Sequence, residues 1–217
     1  MSEPAAAVAP GLETALAGRA ADGLLAYPTE TVWGLGAAAA SARAVERLRA
    51  WKGRGDEQPI AVLVPDLAAL GALGAELCEA ARALAAEFWP GPLTLVLRCR
   101  GPFAAGIAGR DGTVGFRCSP HPAARGLARA AFERGLGALT ATSLNRSGDP
   151  PARTRAEAAA LCRGDGAPQL LEGPWPDAGG AAPSSVVDLS GAAPQVVREG
   201  AIDAGALLRR ARGGGPA

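Results

Sequence analysis

The chain has 217 residues, 48% hydrophobic and 20% charged, which suits one ordinary soluble domain or two small ones. Its 30 glycines and 18 prolines stay short of the roughly 25–30% of a chain that marks low complexity, so many turns are expected and disorder is not. With 22 basic against 21 acidic residues, the net charge of +1 supplies no global field for drawing in nucleic acid or anionic lipid, and any anion site has to be local.

The elements alternate in chain order. Leu12 and Leu16 among alanines suggest a first helix to about Asp22, and Gly23 separates it from a strand over Leu24 to Tyr27. The stretch Pro28 to Gly36 is too glycine-bounded for a helix. A second helix is expected from about Ser41 to Trp51, a strand over Ile60 to Val64, and helix over Leu67 to Phe88 with an interruption at Gly71 to Gly74. Trp89-Pro-Gly-Pro92 stops that helix. Leu93 to Leu97, Thr113 to Arg117 and Leu139 to Thr142 read as strands, with Pro122 to Phe132 as the helix between the last two. Thr154-Arg-Ala-Glu157 has the spacing of a capping box. A loop-rich segment from Gly164 to Gly180 holds one strand at Gln169 to Leu171. Strands at Ser185 to Leu189 and Gln195 to Arg198 and a helix from Asp203 to Arg212 close the chain. This alternation predicts a single α/β domain over residues 1–217, with a core of about 12–210 and flexible termini. Its sheet is expected to be one twisted, mostly mixed, open sheet with flanking helices.

Glu3 and Pro10 interrupt the first apolar run, and no run approaches the roughly 20 apolar residues of a membrane span, so a cytoplasmic protein without a membrane partner is expected. Cys78, Cys99, Cys118 and Cys162 form no CxxC pair and only one histidine is present, which disfavours both zinc and a disulfide framework. Buried thiols are the expectation.

Lys52 is the only lysine, Asn145 the only asparagine, His121 the only histidine and Tyr27 the only tyrosine, in a chain rich in arginine. A lysine that persists in such a background suggests a task that guanidinium does not serve. The usual catalytic motifs are missing: no GxxxxGK[ST], GxSxG, HExxH or GxGxxG is present. His121 sits in Ser-Pro-His-Pro, which suits a rigid turn, so a histidine-based nucleophilic mechanism is disfavoured.

What remains are polar residues at the ends of apolar strands, where open α/β sheets place their ligands. Thr29 and Thr31 follow the first strand and offer hydroxyls, or form an ordinary turn. Lys52-Gly-Arg54 puts a point charge and a planar fork in a glycine-rich loop, as a phosphate clamp or as a solvated basic turn. Arg117 shares a strand face with Thr113 and Gly115 and needs an anionic partner, either a protein carboxylate or a ligand. Ser143 and Asn145 close another strand with hydrogen-bonding groups that suit sugar, phosphate or carboxylate, or a helix cap. Together these describe a basic, hydroxyl-lined cavity.

Tyr-Pro-Thr-Glu-Thr-Val-Trp-Gly-Leu-Gly, Lys-x-Arg followed by Pro59-Ile60, Trp-Pro-Gly-Pro-Leu-Thr, Val-Gly-Phe-Arg-Cys-Ser-Pro-His-Pro and Ser-Leu-Asn-Arg-Ser-Gly follow one another in the chain. In this order and spacing, from about Leu24 to Arg198, they resemble the YrdC/TsaC family of threonylcarbamoyl-AMP synthases, in the short form without an extra C-terminal domain. The resemblance implies a YrdC-like fold with a large concave basic cavity. It also implies a nucleotidyltransferase that condenses L-threonine, bicarbonate and ATP to threonylcarbamoyl-AMP and pyrophosphate. That product serves the t6A modification at position 37 of tRNAs reading ANN codons, through downstream threonylcarbamoyl transferase proteins and with possible contact to tRNA.

By the same resemblance, Lys52, Arg54, Thr113, Ser143, Asn145 and Arg198 are expected to bind ATP, with Lys52 and Arg54 offsetting phosphate charge. Thr29, Arg117, Ala141 and Ser184 are expected to bind threonine. No covalent nucleophile is implied, and Mg²⁺ is expected to arrive with ATP, since the chain shows no carboxylate cluster at metal-ligand spacing. The chain departs from the pattern at Gly55, where proline is usual, at Trp33, where tyrosine or phenylalanine is common, and at Leu144, where alanine is usual. A double-stranded RNA or tRNA binding module and a carbamoyltransferase-type domain are the alternatives this fold allows.

Overall fold

The structure is a computed structural model that describes residues 22–55, 58–177, 179 and 182–213; the expected first helix, apart from its last residue, and the tail beyond Gly213 lie outside them. In chain order the elements are β1 (Leu25–Tyr27), β2 (Gly34–Gly36), α1 (Ala42–Lys52), β3 (Val62–Leu63), α2 (Ala68–Ala72), α3 (Glu79–Phe88), β4 (Leu93–Arg98) and β5 (Thr113–Arg117). There follow α4 (Pro122–Glu133), β6 (Leu139–Thr140), β7 (Thr142–Ser143), α5 (Arg155–Leu161), β8 (Gln169–Leu170), β9 (Ser185–Asp188), β10 (Gln195–Arg198) and α6 (Ala204–Ala211).

The expectation of a single sheet is corrected: these strands form two mixed open sheets in one α/β domain with flanking helices. One has the order β7-β2-β1-β8 and the other β10-β9-β4-β5-β3-β6. The physical reason lies at Leu139 to Thr142, expected as one strand. Val62 of β3 pairs antiparallel with Thr140, whereas Leu35 of β2 pairs with Thr142, so the chain changes sheets at Ala141. The backbone amide of Ala141 is taken by the carbonyl of Ala61 at 2.6 Å. Thr140 holds the junction with its hydroxyl, which accepts from the amide of Ala37 at 2.9 Å and donates to the carbonyl of Leu35 at 3.2 Å.

The larger sheet is built on β4, whose alternate residues Leu93, Leu95 and Leu97 are buried in the main core. β5 pairs with it antiparallel from Thr94–Arg117 to Arg98–Thr113, and β9 pairs with it parallel. A second cluster packs Ala123, Ala124, Leu127 and Ala131 of α4 against Tyr27, Leu63 and Leu139. Five alanines and Leu127 make up the buried face of this helix.

Local signals act as the sequence suggests. Ser41 caps α1 by accepting from the amide of Ala44, and Gly53 ends it in the left-handed conformation at φ 65°. The interruption at Gly71 to Gly74 separates α2 from α3, and Gly74 has φ +78° with its would-be Cβ facing the backbone of Gly101. The capping box is complete at Thr154 and Glu157. His121 caps α4 through Nδ1, which accepts from the amide of Ala123, Pro122 occupies the first turn, and His121 Nε2 lies 3.1 Å from the carbonyl of Pro176. The cysteine expectation holds in part: Cys99 and Cys118 are buried, whereas Cys78 is exposed and Cys162 half-buried. Both of these flank helix ends, where an apolar thiol is only partly covered. Among the described residues no helix is long and apolar enough to cross a membrane.

Candidate functional site

The two sheets meet at a pocket of about 110 Å³ at the C-terminal ends of β1, β3 and β5. Its wall takes Tyr27, Thr29, Thr31 and Gly34 from the β1–β2 hairpin, Leu63 from β3, Arg117 from β5, Ala141 to Ser143 from the sheet junction, and Pro183, Ser184 and Arg198 from the β9–β10 side. This is the strand-end position that open sheets reserve for ligands. Six of the residues expected from the sequence, Thr29, Arg117, Ala141, Ser143, Ser184 and Arg198, therefore share one cavity although they are spread over 170 positions. Two guanidinium groups and no carboxylate line it.

Arg117 has found the protein carboxylate that its place on the strand demanded. Its guanidinium donates to Glu30 and, at 3.2 Å, to the hydroxyl of Thr31, while the hydroxyl of Ser119 holds the other oxygen of Glu30. Arg117 Nε remains buried without a partner. Thr29 organises its own loop: its hydroxyl donates to the carbonyl of Val32 at 2.6 Å and accepts from the amides of Thr31 and Val32. Across the pocket, Arg198 donates to the carbonyl of Ser184 at 2.8 Å and to its hydroxyl at 3.0 Å, and that hydroxyl also meets Thr94. Burial, and then the charge of Arg117, draw the Arg198 pKa below its ordinary value.

Lys52, at the end of α1, lies behind this wall with 3% of its surface exposed. Its ammonium donates to the carbonyl of Ser143 at 2.6 Å, the carbonyl of Asn145 at 3.1 Å and Asn145 Oδ1 at 2.7 Å, with Ser143 Oγ at 3.4 Å. The three N–H groups of an ammonium are thus matched by protein acceptors. Desolvation first, and the neighbouring Arg54 second, push the Lys52 pKa down to about 8. Arg146 stacks 4.3 Å from the ring centroid of Trp51, and the amide of Ser147 reaches the carbonyl of Lys52 at 2.7 Å, so α1 and the 143–147 segment form one unit.

The remaining expected residues lie outside the pocket wall. Arg54 folds back onto its own loop, with Nη2 2.9 Å from the carbonyl of Pro59, and borders a wider neighbouring groove. Asn145 is joined to the wall through Lys52 and Ser143, whose hydroxyl donates to Asn145 Oδ1 at 2.6 Å. Thr113 sits at the opposite end of β5 from Arg117, its hydroxyl donated to Asp111 at 2.7 Å. Sequence reasoning passed over Glu30 and Ser119. Glu30 had a signal, being the one carboxylate inside the Tyr27–Gly36 motif when Arg117 required a counter-charge.

The sequence profile of the Sua5/YciO/YrdC family, described as telomere recombination, matches residues 19–200. The chain belongs to this family. The threonylcarbamoyl-AMP synthase of Chromohalobacter salexigens is 39% identical over 166 residues, covering 76% of this chain and 85% of the relative. The solved structure of P. abyssi Sua5 complexed with L-threonine is similar at a TM-score of 0.75 and 32% identity, over 89% of this chain; the chain spans 54% of that longer family member. E. coli YciO, 22% identical with a TM-score of 0.73 over 88% of this chain and 90% of its own, shares the fold.

Proposed function

We propose that this protein is a threonylcarbamoyl-AMP synthase, a nucleotidyltransferase that joins L-threonine, bicarbonate-derived carbon dioxide and ATP. The observation that carries the reading is the pocket of Thr29, Arg117, Ala141, Ser143, Ser184 and Arg198, assembled from both sheets in a family whose members bear that name. A cavity of about 110 Å³ suits an amino acid better than a whole nucleotide, since drug-sized ligands occupy roughly 300–1,000 Å³. Threonine is therefore assigned to the pocket, its carboxylate to Arg117 and its polar atoms to Thr29 and Ser184. ATP is assigned to the Lys52–Arg54 loop, Ser143, Asn145 and Arg198, with Thr113 contributing only indirectly.

The substrates carry their own nucleophile, which accords with the absence of a catalytic serine or cysteine motif. The amine of threonine adds to carbon dioxide and loses a proton to solvent, giving the N-carboxylate. One oxygen of this carbamate then forms a bond to the α-phosphorus of ATP as the bond to the β-phosphate oxygen breaks, and pyrophosphate leaves. The protein's share is alignment and electrostatic stabilisation. Among the described residues no three His, Cys, Asp or Glu side chains converge on a possible metal position. Magnesium is assigned to the incoming nucleotide. Pyrophosphate release, together with mass-spectrometric detection of the adenylate, tests the function: product is expected only when threonine, bicarbonate and ATP are all present. Threonine-independent pyrophosphate release would overturn it.

A further inference from the structure

Arg49 sits one turn before Lys52 on α1, with 8% of its surface exposed, and takes part in none of the contacts described above. Its guanidinium donates to the carbonyl of Gly55, to that of Gln58 at 3.0 Å and to that of Gly106 at 2.7 Å. The first two carbonyls belong to the stretch that directly follows Arg54, and the third belongs to a separate loop before β5. Among the described residues no carboxylate pairs with Arg49, and its partners there are backbone oxygens. The fit is tight: a Cβ at Gly106, where φ is +85°, would lie 2.5 Å from Arg49 Nη2. By contrast, a Cβ at Gly55 would meet nothing within 4 Å among the described residues. Arg54 then closes on the loop so fixed, reaching the carbonyls of Gln58 and Pro59.

We propose that Arg49 is a positioning residue for the nucleotide: its planar fork locks the Lys52–Arg54 loop against the 104–107 loop, so that Arg54 is held ready for phosphate before ATP binds. The inference rests on the assignment of ATP to this loop. A fork is suited because its two terminal nitrogens donate to three acceptors on two loops, and a compact ammonium lacks that fixed spread of donors. Ordering the loop in advance spares ATP the entropy of ordering it on binding.

Steady-state kinetics with ATP and threonine varied separately tests this in Arg49→Met, Arg49→Lys and Arg54→Ala. Arg49→Met is expected to raise KM for ATP about tenfold, equivalent to about 1.4 kcal/mol, with kcat and the KM for threonine within about twofold. Arg49→Lys is expected to fall closer to Met than to wild type. Adding Gly55→Pro to Arg49→Met is expected to recover much of the loss, since proline restricts the loop from within and the amide of Gly55 donates no hydrogen bond among the described residues. Wild-type ATP KM in Arg49→Met alongside a raised one in Arg54→Ala would overturn the positioning role, as would full activity of Arg49→Lys. Unchanged ATP KM in Arg54→Ala would instead overturn the assignment on which it rests. Should Arg49→Met fail to fold, the comparison of Arg49→Lys with and without Gly55→Pro decides the matter by the same ATP KM.

Discussion

Lys52 does two things that a single substitution separates poorly. It carries charge toward the loop proposed to bind ATP, and it ties Ser143 and Asn145 to the end of α1. Lys52→Ala is expected to lose adenylate formation and also stability, by several kcal/mol, because buried acceptors left unmade cost about 1–3 kcal/mol each. Differential scanning calorimetry checks the second part. The pH dependence isolates the first. With a pKa of about 8 in the folded protein, Lys52 loses its charge above pH 8, so kcat/KM for ATP is expected to fall along a basic limb near that value. Lys52→Arg, whatever its residual activity, is expected to lack that limb. Stability moves the other way. Between about 8 and the ordinary 10.5 the unfolded chain binds the extra proton, so the cost of burying this ammonium is complete below pH 8 and relieved as pH rises toward 10.5. At Arg117, replacement by alanine strands Glu30 with only Ser119. Isothermal titration is expected to show threonine affinity reduced by about tenfold or more and ATP affinity much less affected.

At the scale of elements, the β1–β2 pair depends on two glycines facing one aromatic ring. A Cβ at Gly34 would lie 2.8 Å from Tyr27 Cε2 and Cζ, and one at Gly36 3.0 Å from Cε1. Tyr27 has no room to retreat: it is buried against α4, and its hydroxyl donates to the carbonyl of Thr140 at 3.0 Å. Gly34→Ala is therefore expected to destabilise by about 1–3 kcal/mol and to lower Tm by several degrees. Because Gly34 also lines the pocket, threonine binding should weaken with it. Gly55→Ala, with nothing within 4 Å of the added methyl, is the matched control and is expected to leave Tm unchanged.

At the scale of the whole molecule, the pocket is a seam between two sheets, so a ligand that fills it also fastens them. Threonine at a hundred times its Kd is expected to stabilise the fold by about 2.7 kcal/mol, read as a rise in Tm that Arg117→Ala abolishes at the same concentration. The alternation of elements, the start of α1 at Ser41, the capping box at Thr154, the glycine break before α3 and the strand-end residues Thr29, Arg117 and Ser143 were legible in the linear chain, whereas Ser184 was reached only through the family resemblance. These rest on local rules: periodicity, φ preference and short-range hydrogen bonding. The division into two sheets was not, because it turns on Thr140 bonding Leu35 and Ala37 from more than 100 positions away. For the same reason the tertiary structure alone assigned Glu30 to Arg117 and set Lys52 behind the pocket wall. A strand pattern shows which face a charge occupies, whereas its partner is chosen by whichever distant segment packing delivers to that face.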